Sequence, residues 1–436
     1  MKIFKLKKFF VIFPLIFAIS VYSSDWKYCG DVIQPGLNPS VGAGTRTAVW
    51  IAGGSGTTPK IFRSTDGGYV WTEVSTAGIP HELYCIASLN ENIAFAGEGV
   101  VSGNAKLFKT TDGGANWSVV LQNGGNSGFF TGIAFTKARS NIFGLAIAEK
   151  IYRTSNSGVN WIELNAAVQG VSNAQNSLFI IDNIFYGFGL NNGAARIRLT
   201  TNNAVSWTTH VLSVSGNYTS AIGFHSNKML GIAATSTSMP YVSLTSDGGL
   251  TWNSVDIGPG LTGNCYVNWI PDGPVIYIMG ENGGIKRSTN NGLNWYTMST
   301  DSVTNLKHFD FVQYTNIVYG WAVSSDGKVI KLIDTLAVLT GVNSNNTIPH
   351  KFSLEQNYPN PFNPSTEIEF STQKESLVKL LVYDVLGREI DLLVNENKKA
   401  GKYKIIFDGS DYNSGVYFYK LQAGEYTETR KMILLK

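Results

Sequence analysis

One eight-residue sentence is written six times along this chain: STDGGYVW (64–71), TTDGGANW (110–117), TSNSGVNW (154–161), TTNNAVSW (200–207), TSDGGLTW (245–252) and STNNGLNW (288–295). The closing tryptophans, Trp71, Trp117, Trp161, Trp207, Trp252 and Trp295, lie 46, 44, 46, 45 and 43 residues apart. A period that even means a repeated supersecondary unit, each copy burying its apolar face against the next. Inside a unit the apolar residues alternate or form short runs and never take a helical period. Over residues 129–164, the segments FTGIAFT, NIFGLAIA, KIYRTS and VNWIEL read as four strands separated by turn signals. Four strands in about 45 residues, repeated radially, make a propeller blade.

The octet then falls on the hairpin between the third and fourth strands. Its Ser or Thr opens the turn, and Asp66, Asp112 or Asp247 accepts hydrogen bonds from turn amides. Asn156, Asn202 and Asn290 replace the acid in three copies, keeping the acceptor oxygen without the charge, which argues against a calcium cage. Gly68, Gly114, Gly158, Gly249 and Gly292 supply a position where positive φ is cheap. The fourth copy has Ala204 there and is expected to be the most strained or altered. The indole packs into a seam beside a neighbouring strand or blade. The octet is thus expected to be a fastener.

A seventh unit follows Trp295: LKHFDFVQ, IVYGWAVSS and KVIKLID (306–334) match three strands but lack the octet. The first unit is short of its first strand. A ring whose two ends meet in one blade accounts for both defects, with the segment around Trp26 completing the last blade and residues 30–45 the first. TLAVLTG (335–341) is the other candidate donor. The expected architecture is all-β, a single propeller over 25–338, with seven blades favoured over six or eight.

The pattern Ser/Thr-x-Asp-x-Gly-x-x-Trp resembles the Asp-box, or BNR repeat, of sialidase-like propellers, of photosystem II assembly factor propellers and of sortilin-type ectodomains. The resemblance spans about residues 45 to 335. It implies the fold, while the family includes hydrolases, receptors and assembly factors.

Residues 1–24, with four lysines and an apolar run from Phe9 to about Tyr22, have a secretory signal layout. Without them the chain is close to neutral: 18 basic and 19 acidic residues over 25–350, 12 of each over 351–436. That balance excludes a phosphate-neutralising surface and hence a nucleic-acid partner. No further stretch is apolar enough to span a bilayer as a helix. Cys29, Cys85 and Cys265 are too few for a disulfide framework; Cys85 and Cys265 sit in apolar strands, and one bridge through Cys29 is left open.

A polar linker is expected over 339–351 and a second domain over 352–436. Pro359, Pro361 and Pro364, interleaved with Asn357, Asn360 and Asn363, force an extended lead. Alternating strands punctuated by Gly387, Gly401, Gly415 and Gly424 then point to a small antiparallel β-sandwich. NYPNPFNPST, VYDVLGREI, SGVYFYKL and the terminal KMILLK resemble the type A C-terminal sorting domain of the type IX secretion system. The residues carrying that resemblance are Asn357, Pro359, Pro361, Phe362, Pro364, Gly387, Gly415 and Lys431. It implies export through the periplasm, engagement of the type IX machinery by the tail, and a destination at the cell surface or beyond. Such tails are commonly removed on the way out.

Catalytic chemistry is hard to find. Sialidase chemistry, by resemblance, needs an Arg-Ile-Pro motif, which is absent, and a converging arginine triad. Arg63, Arg153 and Arg287 each precede an octet, where other copies have Lys109, Leu199 and Leu244, and are read as register residues. Glu98, Glu149, Asp182, Asp272 and Glu281 show no spacing that singles out a glycosidase pair. His81, His210, His225, His308 and His350 lack metal-ligand spacing, and no cofactor motif appears. A binding surface is expected on the rim opposite the octets, where Phe129, Phe130, Tyr218, Tyr241 and Tyr266 interrupt glycine- and serine-rich loops; these aromatics can equally be core. The expected function is a non-catalytic surface or secreted binding scaffold for a glycan or protein. The alternative is a divergent sialidase-like glycoside hydrolase.

Overall fold

The computed structural model describes residues 25–435 except 33–37, 101–102, 124–127, 137–141, 165–176, 192, 217, 236–238, 272, 282, 315–316, 337–350 and 410–411. The leader expected over 1–24 and most of the linker expected over 339–351 lie outside the described residues. Every regular element among the described residues is a strand. Seven antiparallel sheets form blades 1 to 7 over 40–73, 83–122, 132–163, 178–211, 219–261, 265–298 and 306–335. The first strands of successive blades lie side by side in an unbroken circle, ending with blade 7 against blade 1. They form the axis, and each blade's fourth strand lies at the perimeter.

Blade 7 takes its fourth strand from the other end of the chain. Lys27–Asp31 pairs antiparallel with Lys328–Thr335, Lys27 opposite Lys331. Ser40–Ala43 supplies the first strand of blade 1. The two apparent defects in the repeat are therefore one closure. Residues 337–341 of the other candidate donor lie outside the described residues.

Seven apolar wedges fill the seven seams, each joining residues of adjacent blades. Each octet tryptophan belongs to the wedge shared with the preceding blade. Trp117 meets Trp50 of blade 1 edge-on at 6.1 Å, and Trp161 meets Phe95 of blade 2 at 6.4 Å. In all six copies the tryptophan immediately precedes the fourth strand. Trp26 stands in the same relation to the closing strand, is fully buried, and packs edge-on against Phe311 at 5.6 Å in the wedge between blades 6 and 7. Blade 7 thus has its tryptophan without an octet.

The six octets repeat one hydrogen-bond scheme. The opening hydroxyl accepts the amide four residues on, at 2.8 Å for Ser64 and Gly68 and 2.9 Å for Thr110 and Gly114, and donates to the Asp or Asn between them. That side chain accepts the amide four residues beyond it: Val70 on Asp66 at 3.0 Å, Asn160 on Asn156 at 2.9 Å. Acid and amide copies share this geometry, so the oxygen is what the turn uses. The fourth octet residue donates its amide to the turn between the blade's first two strands, as Gly67 does to Thr47 at 2.9 Å and Gly113 to Asn92 at 3.0 Å.

Cations complete three of the seams. Arg63 Nη1 donates to the Gly113 carbonyl at 3.0 Å, Lys109 Nζ to that of Ser157 at 3.0 Å, and Arg153 Nη1 to that of Asn203 at 3.5 Å. Each reaches from one blade to the same point of the next octet. Trp321 Nε1 does this for Gly67 at 2.9 Å.

The fifth octet residue approaches the preceding blade too closely for a side chain at most copies. A Cβ on Gly158 would stand 2.3 Å from Phe95, and one on Gly68 would stand 2.9 Å from Trp321. Ala204 fits because blade 3 carries Leu145 in register with Arg153, where blades 1 and 2 carry Trp50 and Phe95. It keeps the turn's bond to Thr200 at 3.0 Å, yet its φ is +63°. The turn is therefore strained but unaltered.

Residues 353–434 form two further antiparallel sheets. One orders Ser353–Leu354, Ser365–Thr372 and Gly401–Asp408; the other orders Glu389–Lys398, Ser376–Tyr383, Gly415–Ala423 and Tyr426–Leu434. Leu354, Phe370, Val378, Leu380, Val394, Tyr419 and Leu421 are among the side chains of their shared core. The expected sandwich is present.

Trp26→Ala should remove about 3–5 kcal/mol of stability by opening a cavity in the wedge between blades 6 and 7, measured as a fall in denaturant midpoint. Ala204→Gly should add about 1 kcal/mol by relieving the left-handed backbone, read from the same titration.

Candidate functional site

The octets and the turns between first and second strands share one rim. The opposite rim carries the loops between blades and those joining second to third strands. On the octet rim the polar groups are already committed. Hydrogen bonds from the Asn116 side chain and amide hold Asp112 down at about 2, and the Thr251 hydroxyl and amide do the same for Asp247. Arg63 and Arg153 cap the second and fourth octets, while Arg287 pairs with Asp334 and bonds the Tyr277 hydroxyl at 3.2 Å. They form no converging clamp.

Two built clusters occupy the opposite rim. At blades 1 to 3, the loop entering blade 2 brings His81 and Glu82 beside the second strand. His81 Nδ1 lies 3.2 Å from a carboxylate oxygen of Glu98, whose side chain is 1% exposed while the imidazole is 40% exposed. Glu82 accepts the Tyr84 hydroxyl at 2.9 Å and the Gly56 amide at 3.2 Å. Partial burial and Glu82 push the Tyr84 phenol up to about 12, so it stays a donor. Phe129 stands edge-on to Tyr84 at 4.9 Å, its backbone fixed by the short strand Gly128–Phe129 added to blade 2.

At blades 5 to 7, Tyr218 donates to Asn264 Oδ1 at 2.7 Å, and the Asn264 carbonyl accepts the Glu281 amide at 2.9 Å. Lys307 pairs with Glu281 at 3.4 Å. Glu98 and Glu281 occupy comparable places after second strands, and each has been given a basic partner from a loop or strand near the axis.

The expected ligand aromatics part company. Phe129 and Tyr218 are half-exposed within these clusters, and Tyr241 is exposed on blade 5. Phe130 and Tyr266 are core, a correction to their placement on a binding face. Phe130 alternates with Phe129 and so turns inward to the wedge between blades 2 and 3; Tyr266 packs edge-on against His308 at 5.1 Å. Asp182 caps the turn at Ile184 and Phe185 and pairs with Lys228. Asp272 and His350 lie outside the described residues. His81, Glu82, Tyr84, Asn264 and Lys307 were not singled out as a group; the run HELY at 81–84, two titratable groups ahead of a strand, was the available signal.

No group of three or more His, Cys, Asp or Glu side chains is placed to hold a metal among the described residues. All three cysteines are free, so the bridge left open for Cys29 is not formed; burial pushes the Cys29 thiol up to about 12. Among the described residues no helix is long and apolar enough to cross a membrane.

In the tail, the motif residues hold the sandwich together. Asn357 is buried, donating its amide to the Tyr419 hydroxyl at 2.8 Å and its side chain to Pro359 O at 3.1 Å and Thr366 Oγ1 at 2.9 Å. Phe362 enters the core while its backbone bonds Ile433 and Leu435. The Pro364 carbonyl accepts the Gly409 amide. Pro361 lies beside Phe362 in the same lead. Gly387 takes φ +75° in a hairpin tip capped by Asp384. Gly415 pairs with Leu434, and the Lys431 carbonyl accepts Gln356 Nε2 at 2.8 Å.

The family described as photosynthesis system II assembly factor YCF48 matches residues 56–333, and the secretion system C-terminal sorting domain matches residues 356–435. Comparison with curated proteins returns no match. Among solved structures, YCF48 bound to D1 peptide is 16% identical, over 71% of this chain and 95% of its own, with a TM-score of 0.54. YCF48 from Cyanidioschyzon merolae is 18% identical, over 71% and 98%, with a TM-score of 0.52. PorZ, a surface component of the type IX secretion system of Porphyromonas gingivalis, is 11% identical over 94% of this chain and 60% of its own. Its TM-score is 0.49, and the likeness to the other two is one of fold.

One buried titratable group on an axial strand is His308, on the first strand of blade 7. Its Nδ1 accepts the Val41 amide at 3.1 Å, across the closing seam, while Asp310 accepts the Ala43 amide at 2.9 Å. Burial depresses the imidazole to about 4, so it is neutral at pH 7. Because its folded value lies below the unfolded one, the stability is complete above pH 6.5 and is lost as the pH falls towards 4. The loss should be on the order of 3 kcal/mol. Thermal melts between pH 7 and 4 should show this fall in wild type and a shallower one in His308→Gln.

Proposed function

This chain belongs to the YCF48 family of propellers and carries a type IX sorting tail that directs it to the cell surface or the extracellular space, and from that premise we propose that it is an exported scaffold that grips an extended peptide segment without a covalent step. The signal layout of residues 1–24 fits the same route. The peptide would lie on the rim opposite the octets. The observation that carries this is the pair of rigidly held polar and aromatic clusters there. Tyr84, Phe129 and Tyr218 offer faces and edges for stacking, and His81, Asn264 and Lys307 offer donors.

A relative in this family has been solved with a peptide bound, which supports the same ligand class. The destination set by the tail speaks against a photosynthetic role. The glycosidase alternative needs one carboxyl kept protonated beside another that stays ionised. Here Glu98 lies against His81 in the cluster at blades 1 to 3, and Glu281 against Lys307 in that at blades 5 to 7.

The test is a synthetic peptide array probed with the full chain, beside a glycan array and a panel of fluorogenic glycosides. Peptide capture should occur and should weaken about tenfold in Tyr84→Ala and Phe129→Ala. Capture of glycans alone, or glycoside turnover abolished by Glu98→Gln or Glu281→Gln, would overturn the proposal.

A further inference from the structure

We propose that the octet rim carries a carboxylate-reading docking site, Arg46 with Tyr314, and that its occupant is Asp391 of the chain's own C-terminal sandwich. Arg46 sits in the turn between the first two strands of blade 1. That turn is stiff on both sides: Thr45 Oγ1 accepts the Ala48 amide at 2.9 Å, and the Thr47 carbonyl accepts the Gly67 amide of the first octet at 2.9 Å. The fastener of blade 1 therefore also positions the arginine.

The guanidinium is divided between two groups of the tail. Nη1 lies 2.5 Å from Asp391 Oδ1 and Nη2 lies 2.8 Å from the Tyr412 hydroxyl, while the guanidinium carbon stands 5.9 Å from the centre of the Tyr314 ring. The Arg46 side chain is 19% exposed and that of Asp391 is 7% exposed. Burial works against the charge on Arg46, but Asp391 and the surrounding tyrosines outweigh it and hold the guanidinium more firmly protonated. The tail's half is preorganised. Asp391 Oδ1 also accepts the Leu392 amide at 2.8 Å, and Tyr412 stacks on Phe407 of the sandwich core at 5.7 Å. A planar fork over a tyrosine face, meeting a carboxylate and a phenol, is chemistry that lysine's point charge cannot reproduce.

The contact is a latch and not a sealed interface. Beside it opens a cleft of about 520 Å³ lined by Asn90, Glu91 and Asn92 of blade 2 and by Glu389 of the tail. Glu91 and Glu389 bring like charge to that cleft from the two halves, with Asp391 close by. Arg46 is the cation that makes the approach favourable, and its loss leaves Glu91, Glu389 and Asp391 gathered about the cleft without that cation. Undocking then restores water to all of them. The docked tail lies on the octet rim, so the opposite rim stays open, and the latch stands independently of what that rim binds.

The test uses the full chain, with solution scattering for overall dimension and hydrogen exchange at 389–392 and 412–413. Wild type should be compact and protected there. Arg46→Glu should extend the molecule and speed exchange at those amides about tenfold, without changing the melting of either half. The double exchange Arg46→Asp with Asp391→Arg should restore compactness. Asp391→Asn probes the tail's side alone and should also undock, which covers the case in which Arg46→Glu disturbs the propeller. A wild-type chain already extended, single variants as compact as wild type, or a folded double exchange that stays extended would each sink the proposal.

Discussion

Closure of the ring is the constraint on which the rest of this molecule depends. Each apolar wedge is buried only when blades stand on both sides of it, so an open series of seven would leave two wedge faces wet. The chain solves this by lending its first strand to its last blade, with Trp26 filling the place that an octet tryptophan fills elsewhere. His308 and Asp310 then tie the inner strand of blade 7 to Val41 and Ala43 of blade 1. The perimeter is thus joined within blade 7 and the axis across the seam between blades 7 and 1.

Much of this could be read from the residues. The octet tryptophans set blade size and placed the hairpins, and the missing strands at the two ends pointed to a shared blade. Ala204 was expected to strain its turn, and its φ agrees; the reason it is tolerated, Leu145 in the preceding blade, needs three dimensions. The residue before each octet stood out as a register position. Nothing in one dimension said that Arg63 reaches 50 residues along the chain to cap the next octet. Period-two alternation was also blind to which of Phe129 and Phe130 faces outwards, because a loop of unknown shape leads into them. Arg46 lay in an unremarkable GTRTA turn, and its partners are more than 340 residues away.

The division of labour between the rims follows from the same geometry. Octets spend their hydroxyls, amides and acids on one another and on the neighbouring turn, so the rim they occupy has little left for a ligand beyond the tail. The opposite rim is free of that duty. Its two clusters are held by bonds within the loops, which gives adjustable side chains on a stiff base. The tail shows a parallel economy: Asn357 and Phe362, the most recognisable parts of its lead, are spent on folding the sandwich. What a secretion apparatus touches must lie among the side chains that remain outside.

The closing strand has a consequence for when this protein can finish folding. Cys29 and Val329, which meet across the last blade, are 300 residues apart in sequence. A chain synthesised from its amino end delivers that strand first and must keep it unpaired until almost the whole propeller has followed. Blades in the middle can assemble as they emerge, but the barrel-stave that locks them arrives at the start and is used at the end. Anything that keeps Lys27–Asp31 from blade 7 therefore delays maturation of the entire propeller, and not only of its first few residues.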